Sequence, residues 1–238
     1  MSGARQQNVR AALAEMRARE NDALAIFRAL PSQVPFITSR ATNRLMRGGN
    51  RSGKSTICAV EVASAAMRRP VIGPDGQPLA FKYPTERPLM IWCIGLGEDH
   101  IGATIYRLLF EPGAFKVIKD DATGKDRAWN PNDPADKARE AEARPAPPLI
   151  PERYIDGEPA WTDKKNKVFS RITLTNGNVI CAYTAKGDVK QGDPVDLIWI
   201  DEDIVYPEYI NEYRARLSDR KGRLIWSSWP RIANPALL

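Results

Sequence analysis

Gly48-Gly49-Asn50-Arg51-Ser52-Gly53-Lys54-Ser55 satisfies the spacing Gly-x-x-x-x-Gly-Lys-Ser/Thr at every fixed position. Each residue type has a reason to be there. Glycines let successive backbone N–H groups turn inward and form a nest for an anion. Lys54 supplies a point charge to the outer phosphates of a nucleotide, and Ser55 offers a hydroxyl to a magnesium ion. The candidate nucleotide contacts are therefore Gly48, Gly49, Asn50, Arg51, Ser52, Gly53, Lys54, Ser55 and Thr56, the last lying in the helix that follows. In a chain of average composition and this length the pattern arises by chance only about 1% of the time.

Working outward, residues 44–47 form a short strand candidate, and residues 55–68 read as a helix that stops before Pro70. Upstream, Val9, Leu13, Met16, Ala23, Ile26 and Phe27 recur at roughly helical spacing, which predicts a helix over 5–30. Pro31 and Pro35 then break the chain, separating this segment (1–30) from the main domain (31–238). A Pro/Gly loop spans 70–88. Residues 89–94 are continuously apolar, as suits a strand covered on both faces, and a helix is expected over 101–110. Residues 119–165 shift toward Pro, Asp, Lys, Arg and Ala, and read as an exposed insertion, partly helical around 135–143. An ordinary solvated loop explains that stretch more simply than a dedicated DNA-binding element. Two alternating runs, 168–175 and 179–184, are joined by Asn176-Gly177-Asn178; Asn and Gly tolerate positive φ, so this is a hairpin. A helix over 207–217 and a strand over 223–226 complete the pattern. Strands alternating with helices imply an α/β fold with a mainly parallel central sheet and helices on both faces.

Asp196-Leu-Ile-Trp-Ile-Asp201-Glu202 is a second apolar strand, and it ends in two carboxylates. This is the shape of a Walker B element. In that role Asp201 would hold Mg²⁺, directly or through water, and Glu202 would polarise the attacking water, with Asp203 as the fallback base. Carboxyl ends of strands are where doubly wound sheets bind ligands, so the pair can face the glycine loop. The run at 89–94 lies between the two motifs in sequence and is expected to lie between their strands in space, as in P-loop proteins of the RecA-like (ASCE) class.

The composition narrows the field. Apolar residues make up 43% of the chain, enough for a sizeable core. No apolar run approaches the ~18 residues of a membrane span, and residues 1–20 show no secretory signal. Cys58, Cys93 and Cys181 are far apart, which argues against a disulfide framework or zinc site and makes a reducing cytosol the expected location. His100 is the only histidine, so a histidine-centred site carries little weight. Thirty-five Lys and Arg against 29 Asp and Glu give +6, which favours a polyanionic partner only weakly. Asn166-Lys-Val-Phe169 lacks the aspartate of a guanine-reading element, and no Leu-Ser-Gly-Gly-Gln run of transporter ATPases occurs.

Three further features make the chain resemble the large terminase subunit of tailed bacteriophages. Arg51 places an arginine inside the P-loop. Gln33 precedes the loop by about the distance of that family's adenine-reading glutamine; it reads equally well as a polar turn residue between two prolines. Leu224-Ile-Trp-Ser227-Ser228-Trp-Pro230 is similar to the family's coupling motif, although Ser227 and Ser228 could also cap a turn. The resemblance covers about residues 30–235.

What the resemblance implies is a Mg²⁺-dependent ATPase that drives double-stranded DNA into a phage procapsid in the host cytoplasm. It implies self-association into a ring on the procapsid, with the portal protein and a small terminase subunit as partners, and phosphate-backbone contact with DNA. The family's large subunit also carries a nuclease domain, expected to lie beyond Leu238. The family's arginine finger commonly lies shortly before Walker B. Here Lys186 and Lys190 occupy that stretch, leaving Arg51, Lys190 and Arg231 as candidates. The alternative reading is another RecA-like nucleic-acid-dependent ATPase, of helicase or repair type.

Overall fold

The computed structural model describes residues 9, 10, 13, 14, 16, 18, 21–187, 193–204 and 206–228. Its strands in chain order are β1 (Asn43–Arg47), β2 (Met90–Gly95), β3 (Lys116–Lys119), β4 (Asp126–Ala128) and β5 (Arg144–Pro145). They continue as β6 (Ala160–Asp163), β7 (Val168–Thr173), β8 (Val179–Thr184), β9 (Leu197–Asp201) and β10 (Arg223–Ser228). Seven of them form one sheet in the order β1-β10-β9-β2-β8-β7-β6. The first five are parallel, and β7 and β6 add an antiparallel hairpin at one edge.

This order corrects one expectation. The strand between those of the glycine loop and the acidic pair is β10, and β2 lies on the far side of β9. The reason is the connection. The helix Tyr209–Ser218 returns the chain directly from β9, and strands linked by a short crossover settle side by side. Leu224, Ile225 and Trp226 are all buried, so β10 can only sit inside the sheet.

Alternation along β9 shows how the layers are held. Leu197 and Trp199 pack on one face with Ile57, Val60 and Ala63 of the helix Lys54–Met67. Ile198 and Ile200 pack on the other with Tyr213 and Leu217 of the helix Tyr209–Ser218. Each such side chain contributes roughly 1.5–3 kcal/mol when fully buried. The expected hairpin forms, with Gly177 at φ 81. β7 stops at Thr173, because Leu174 already donates to the Asn178 carbonyl within the turn (2.8 Å).

Two segments differ from the sequence reading. The described residues among 9–18 are helical, but the helix does not run unbroken to residue 30: a bend at Asn21 and Asp22 precedes a separate helix, Ala23–Ile26. Asp22 is the cause, since its buried carboxylate pairs with Arg69 and Arg153. Residues 119–165 are not simply exposed. β4, β3 and β5 form a small sheet of their own, and β6 extends the main sheet. Asp136, Leu149 and Ile150 are buried. Asp136 holds Arg127 through two hydrogen bonds and also accepts from the Asn130 N–H, which the charge-rich composition did not reveal.

Candidate functional site

β1 delivers the chain to the glycine loop at the carboxyl edge of the sheet, and two features fix the loop's course. Gly53 sits in the left-handed region (φ 81) just before the helix Lys54–Met67. A side chain there would also lie 2.7 Å from the Gln33 amide, so this position needs glycine; one at Gly48 would meet the Ser52 hydroxyl at 2.5 Å and displace it. Arg51 also adopts positive φ (62). Lys54 is buried, and its ammonium donates to the Gly49 carbonyl at 3.4 Å, so the loop folds over its own lysine.

The glycine loop and the acidic strand meet directly. Ser55 Oγ donates to Asp201 Oδ1 at 2.7 Å across 146 residues of sequence. β10, aligned between β1 and β9, brings in a second hydroxyl: Ser227 faces Asp201 in register and also donates to Oδ1. Trp199 Nε1 donates to Ser227 Oγ at 2.9 Å, completing an indole–hydroxyl–carboxylate chain inside the sheet. His100, just past the end of β2, lies with Nε2 2.7 Å from Asp201 Oδ2; with the carboxylate ionised, that nitrogen carries the hydrogen.

Charge accounting singles out Asp201. The described residues include five buried carboxylates: Asp22, Glu61, Asp136, Asp196 and Asp201. Four of them are paired with arginine: Asp22 with Arg69 and Arg153, Glu61 with Arg44, Asp136 with Arg127, Asp196 with Arg87 and Arg220. Asp201 has hydroxyls and an imidazole around it, and no lysine or arginine pairs with it among the described residues. A buried charge without a counter-charge is costly. The arrangement therefore suits a cation. Hydroxyl and carboxylate oxygens from Ser55 and Asp201 match the preference of Mg²⁺. Among the described residues no three His, Cys, Asp or Glu side chains converge, so phosphate and water oxygens would complete its shell, as is usual for that ion.

Glu202 leaves β9 with φ 69, a conformation uncommon outside glycine. Both its backbone groups are tied to β10: its N–H donates to the Ser227 carbonyl at 2.8 Å, and its carbonyl accepts from Trp226 Nε1 at 2.6 Å. Its carboxylate makes no ion pair among the described residues. Asp203 receives a long hydrogen bond from Ser228 Oγ, at 3.4 Å.

Two cavities adjoin the loop. One of about 180 Å³ is lined by residues 51–56 together with Thr104, Arg107 and Leu108. The other, about 260 Å³, is largely apolar and lies between Phe27, Gln33, Phe115, Trp129 and the loop at Arg51. Phe27 and Phe115 meet edge to face, and the Lys116 ammonium sits 4.9 Å above the Trp129 ring. Gln33 is buried with both amide ends engaged: Oε1 accepts from the Leu30 N–H at 2.9 Å, and Nε2 donates to the Gly53 carbonyl at 3.1 Å.

The structure thus gathers Ser55, Asp201 and Ser227 in one hydrogen-bonded cluster beside Lys54, with Glu202 next along the chain and Gln33 against the loop. Ser228 stands one step away, on Asp203. Lys186 is exposed after β8. Lys190 and Arg231 lie outside the described residues. Sequence reasoning passed over His100, although its place at the carboxyl end of a buried strand was a usable signal. It also missed Phe115 and Trp129, for which no local pattern existed.

No protein-family model and no curated protein matches the chain. Solved structures do. The Thermus phage P74-26 large terminase ATPase domain aligns over 90% of this chain and 69% of that one, at 16% identity and a TM-score of 0.49. An arginine-to-alanine variant of that domain aligns over 90% and 70%, at 15% identity and a TM-score of 0.50. The HK97 bacteriophage large terminase aligns over 88% of this chain and 35% of its own length, at 14% identity and a TM-score of 0.47. At such identities the likeness at 0.50 shows a shared fold: mixed α/β, with a mainly parallel seven-stranded sheet of the P-loop type.

Proposed function

We propose that this chain is the ATP-hydrolysing motor domain of a terminase large subunit, which uses ATP to draw double-stranded DNA into a procapsid. The observation that carries the reading is the hydrogen bond from Ser55 to the arginine-free carboxylate of Asp201. It joins the two halves of a phosphate-and-magnesium site at the carboxyl edge of a parallel sheet.

On this reading the backbone N–H groups of 48–55, with Lys54 and Arg51, take up the negative charge of the triphosphate. Ser55 and Asp201 would hold Mg²⁺, which when bound would neutralise charge on the phosphate oxygens. The adenine enters the apolar cavity beside Phe27 and Trp129. Glu202 orients a water molecule and accepts its proton as the oxygen attacks the terminal phosphorus, while the bond to the ADP oxygen breaks. The left-handed backbone at Glu202, tied to β10 through both its N–H and its carbonyl, fixes where that side chain leaves the strand. Ser227 links Asp201 to β10, so a change at the phosphate is felt along that strand toward Ser228 and Asp203. DNA, a portal protein, a small terminase subunit and a ring of like subunits are the partners this reading carries. Contact with DNA would be to its phosphates and hence salt-sensitive.

The test is phosphate release from ATP by the intact protein, with and without double-stranded DNA, followed by assay of DNA entry into procapsids. DNA-stimulated hydrolysis with packaging supports the proposal. Strand separation without packaging points to a helicase, and absence of turnover removes the motor reading altogether.

A further inference from the structure

The phosphate-sized cavity has a wall that the glycine loop does not supply. The segments Glu98–His100, Ile101–Tyr106 and Arg107–Phe110 form one continuous helix after β2, and its middle six residues are π-helical. Such wide turns are rare and recur at functional sites. One extra residue per turn rotates everything after it by about 100°. Here the rotated residue is Arg107, which with Thr104 and Leu108 closes the cavity opposite residues 51–56.

Three properties of this arginine bear on what it could bind. It shares the cavity with Arg51 and Lys54, and no carboxylate lines it. Among the described residues no acid pairs with Arg107 or with Arg51, so both arginines at this cavity stand without a carboxylate partner. Its Nε donates to the Ala103 carbonyl at 3.0 Å, which lays the side chain along its own helix and leaves both terminal nitrogens for a ligand. A guanidinium so held presents a fork that fits phosphate oxygens. Arg51, Lys54 and Arg107 thus give one cavity three cations and no acid, a lining that favours a polyanion over any other ligand.

We infer that Arg107 is a phosphate-binding residue of the same subunit, gripping the nucleotide's phosphate tail from the side facing the loop. The helix that carries it begins beside His100, which touches Asp201, so one helix meets both the carboxylate and the phosphates. The inference rests on the nucleotide reading of the site and adds to it a contact that the glycine-loop motif does not contain.

The test is calorimetric titration of the intact protein with ATP and magnesium, in wild type, Arg107→Ala, Arg107→Lys and Lys54→Ala, with the melting temperature of each measured without nucleotide. Arg107→Ala is expected to lose about 10- to 100-fold in ATP affinity, the worth of charge-assisted hydrogen bonds, and Arg107→Lys to recover part of it. Melting without nucleotide should stay unchanged, because the side chain is exposed and unpaired with any acid. If Arg107→Ala binds ATP within about twofold of wild type while Lys54→Ala does not, the role of Arg107 is wrong and the nucleotide site stands. If affinity falls only in step with a lowered melting temperature, Arg107 is structural and the inference fails. If the wild type shows no ATP affinity, the nucleotide reading fails and takes this inference with it.

Discussion

Glu61 and Asp201 are carboxylates of nearly equal burial, 2% and 1% exposed, at the two ends of one problem. Glu61, on the helix Lys54–Met67, is enclosed by Arg44 in a two-pronged grip at 2.7 and 2.5 Å, by the Tyr83 hydroxyl at 2.6 Å and by Lys82 at 3.5 Å. Its surroundings register the strain of that burial. Burial and the neighbouring carboxylate push Tyr83 well above its ordinary pKa, and burial pulls Lys82 down to about 8 against Glu61's opposing pull. For Arg44 burial acts downward, but the hydrogen bond and charge of Glu61 win and raise it. Asp201 has a hydroxyl pair and an imidazole where Glu61 has two cations. The first carboxylate is finished by protein; the second is left open toward the glycine loop. A buried acid that the fold declines to neutralise is a better pointer to a site than burial or acidity alone.

The widest separation between the two should appear in catalysis and stability together. Glu202→Gln, beside the open carboxylate, is expected to lower ATP turnover by about 10²–10⁴-fold, as for removal of a general base. ATP affinity should stay within about twofold, and normal turnover by this variant would mean that another group is the base. Asp201→Asn should also abolish most turnover, yet leave the melting temperature unchanged or higher, since it deletes a buried charge that has no counter-charge. Glu61→Gln should do the reverse, costing about 3–5 kcal/mol because Arg44 is left buried and unpaired, a drop on the order of 10 °C for a domain of this size. Should Asp201→Asn melt as early as Glu61→Gln, the contrast between open and closed carboxylates would not hold.

That contrast explains what was readable beforehand. The glycine loop and Asp201-Glu202 are short local patterns whose residue types follow from chemistry, so both were legible; β2 and β9 were legible from their apolar runs, β8 from alternation, and β1 and β10 as short strand candidates. Which strand lies between them was not legible, because β2 and β10 are both apolar and only the crossover decides. Two of the closed carboxylates were invisible for a related reason: Asp22 with Arg153, and Asp196 with Arg87, are partners more than 100 residues apart. Residues 119–165 misled through composition. Their charges are largely spent on one another, as Asp136 is on Arg127, and what remained hidden was that Phe115 and Trp129 wall a cavity beside the loop.

A gentler probe uses pH on the closed side alone. Lys82 titrates near 8 in the folded chain and near 10.4 when unfolded. Below pH 8 both states carry the proton, and the cost of burying the charged amine is fully present. Between about 8 and 10 the unfolded chain binds more protons at this site, so the contribution of Lys82 to stability should rise with pH. Above 10 the sign reverses for Tyr83, whose raised pKa keeps its proton in the folded state while the unfolded state loses it. Three buried thiols, Cys58, Cys93 and Cys181, work the other way: burial raises their pKa, so the unfolded chain loses those protons first and stability falls as pH passes about 8.5. The contribution of Lys82 is therefore read as a difference, and urea unfolding across pH 7.5–10 should show wild type gaining on Lys82→Met as pH rises. A difference between the two that does not change with pH would mean that Lys82 is better solvated than its place beside Glu61 implies.

The smallest expected effect distinguishes two uses of Gln33. If the amide reads the base, Gln33→Ala should change the preference for ATP over GTP. Yet both ends of that amide are already engaged, one by the Leu30 N–H and the other by the Gly53 carbonyl. Its nearest duty is thus to hold the loop at the residue whose left-handed backbone admits no side chain. On that argument Gln33→Ala should weaken ATP and GTP together, by about 3- to 10-fold, the worth of one or two neutral hydrogen bonds. Paired titrations with the two nucleotides measure the difference. A selective loss of ATP would show that the amide keeps a free lone pair or hydrogen for adenine; a common loss would place Gln33 among the residues that shape the loop.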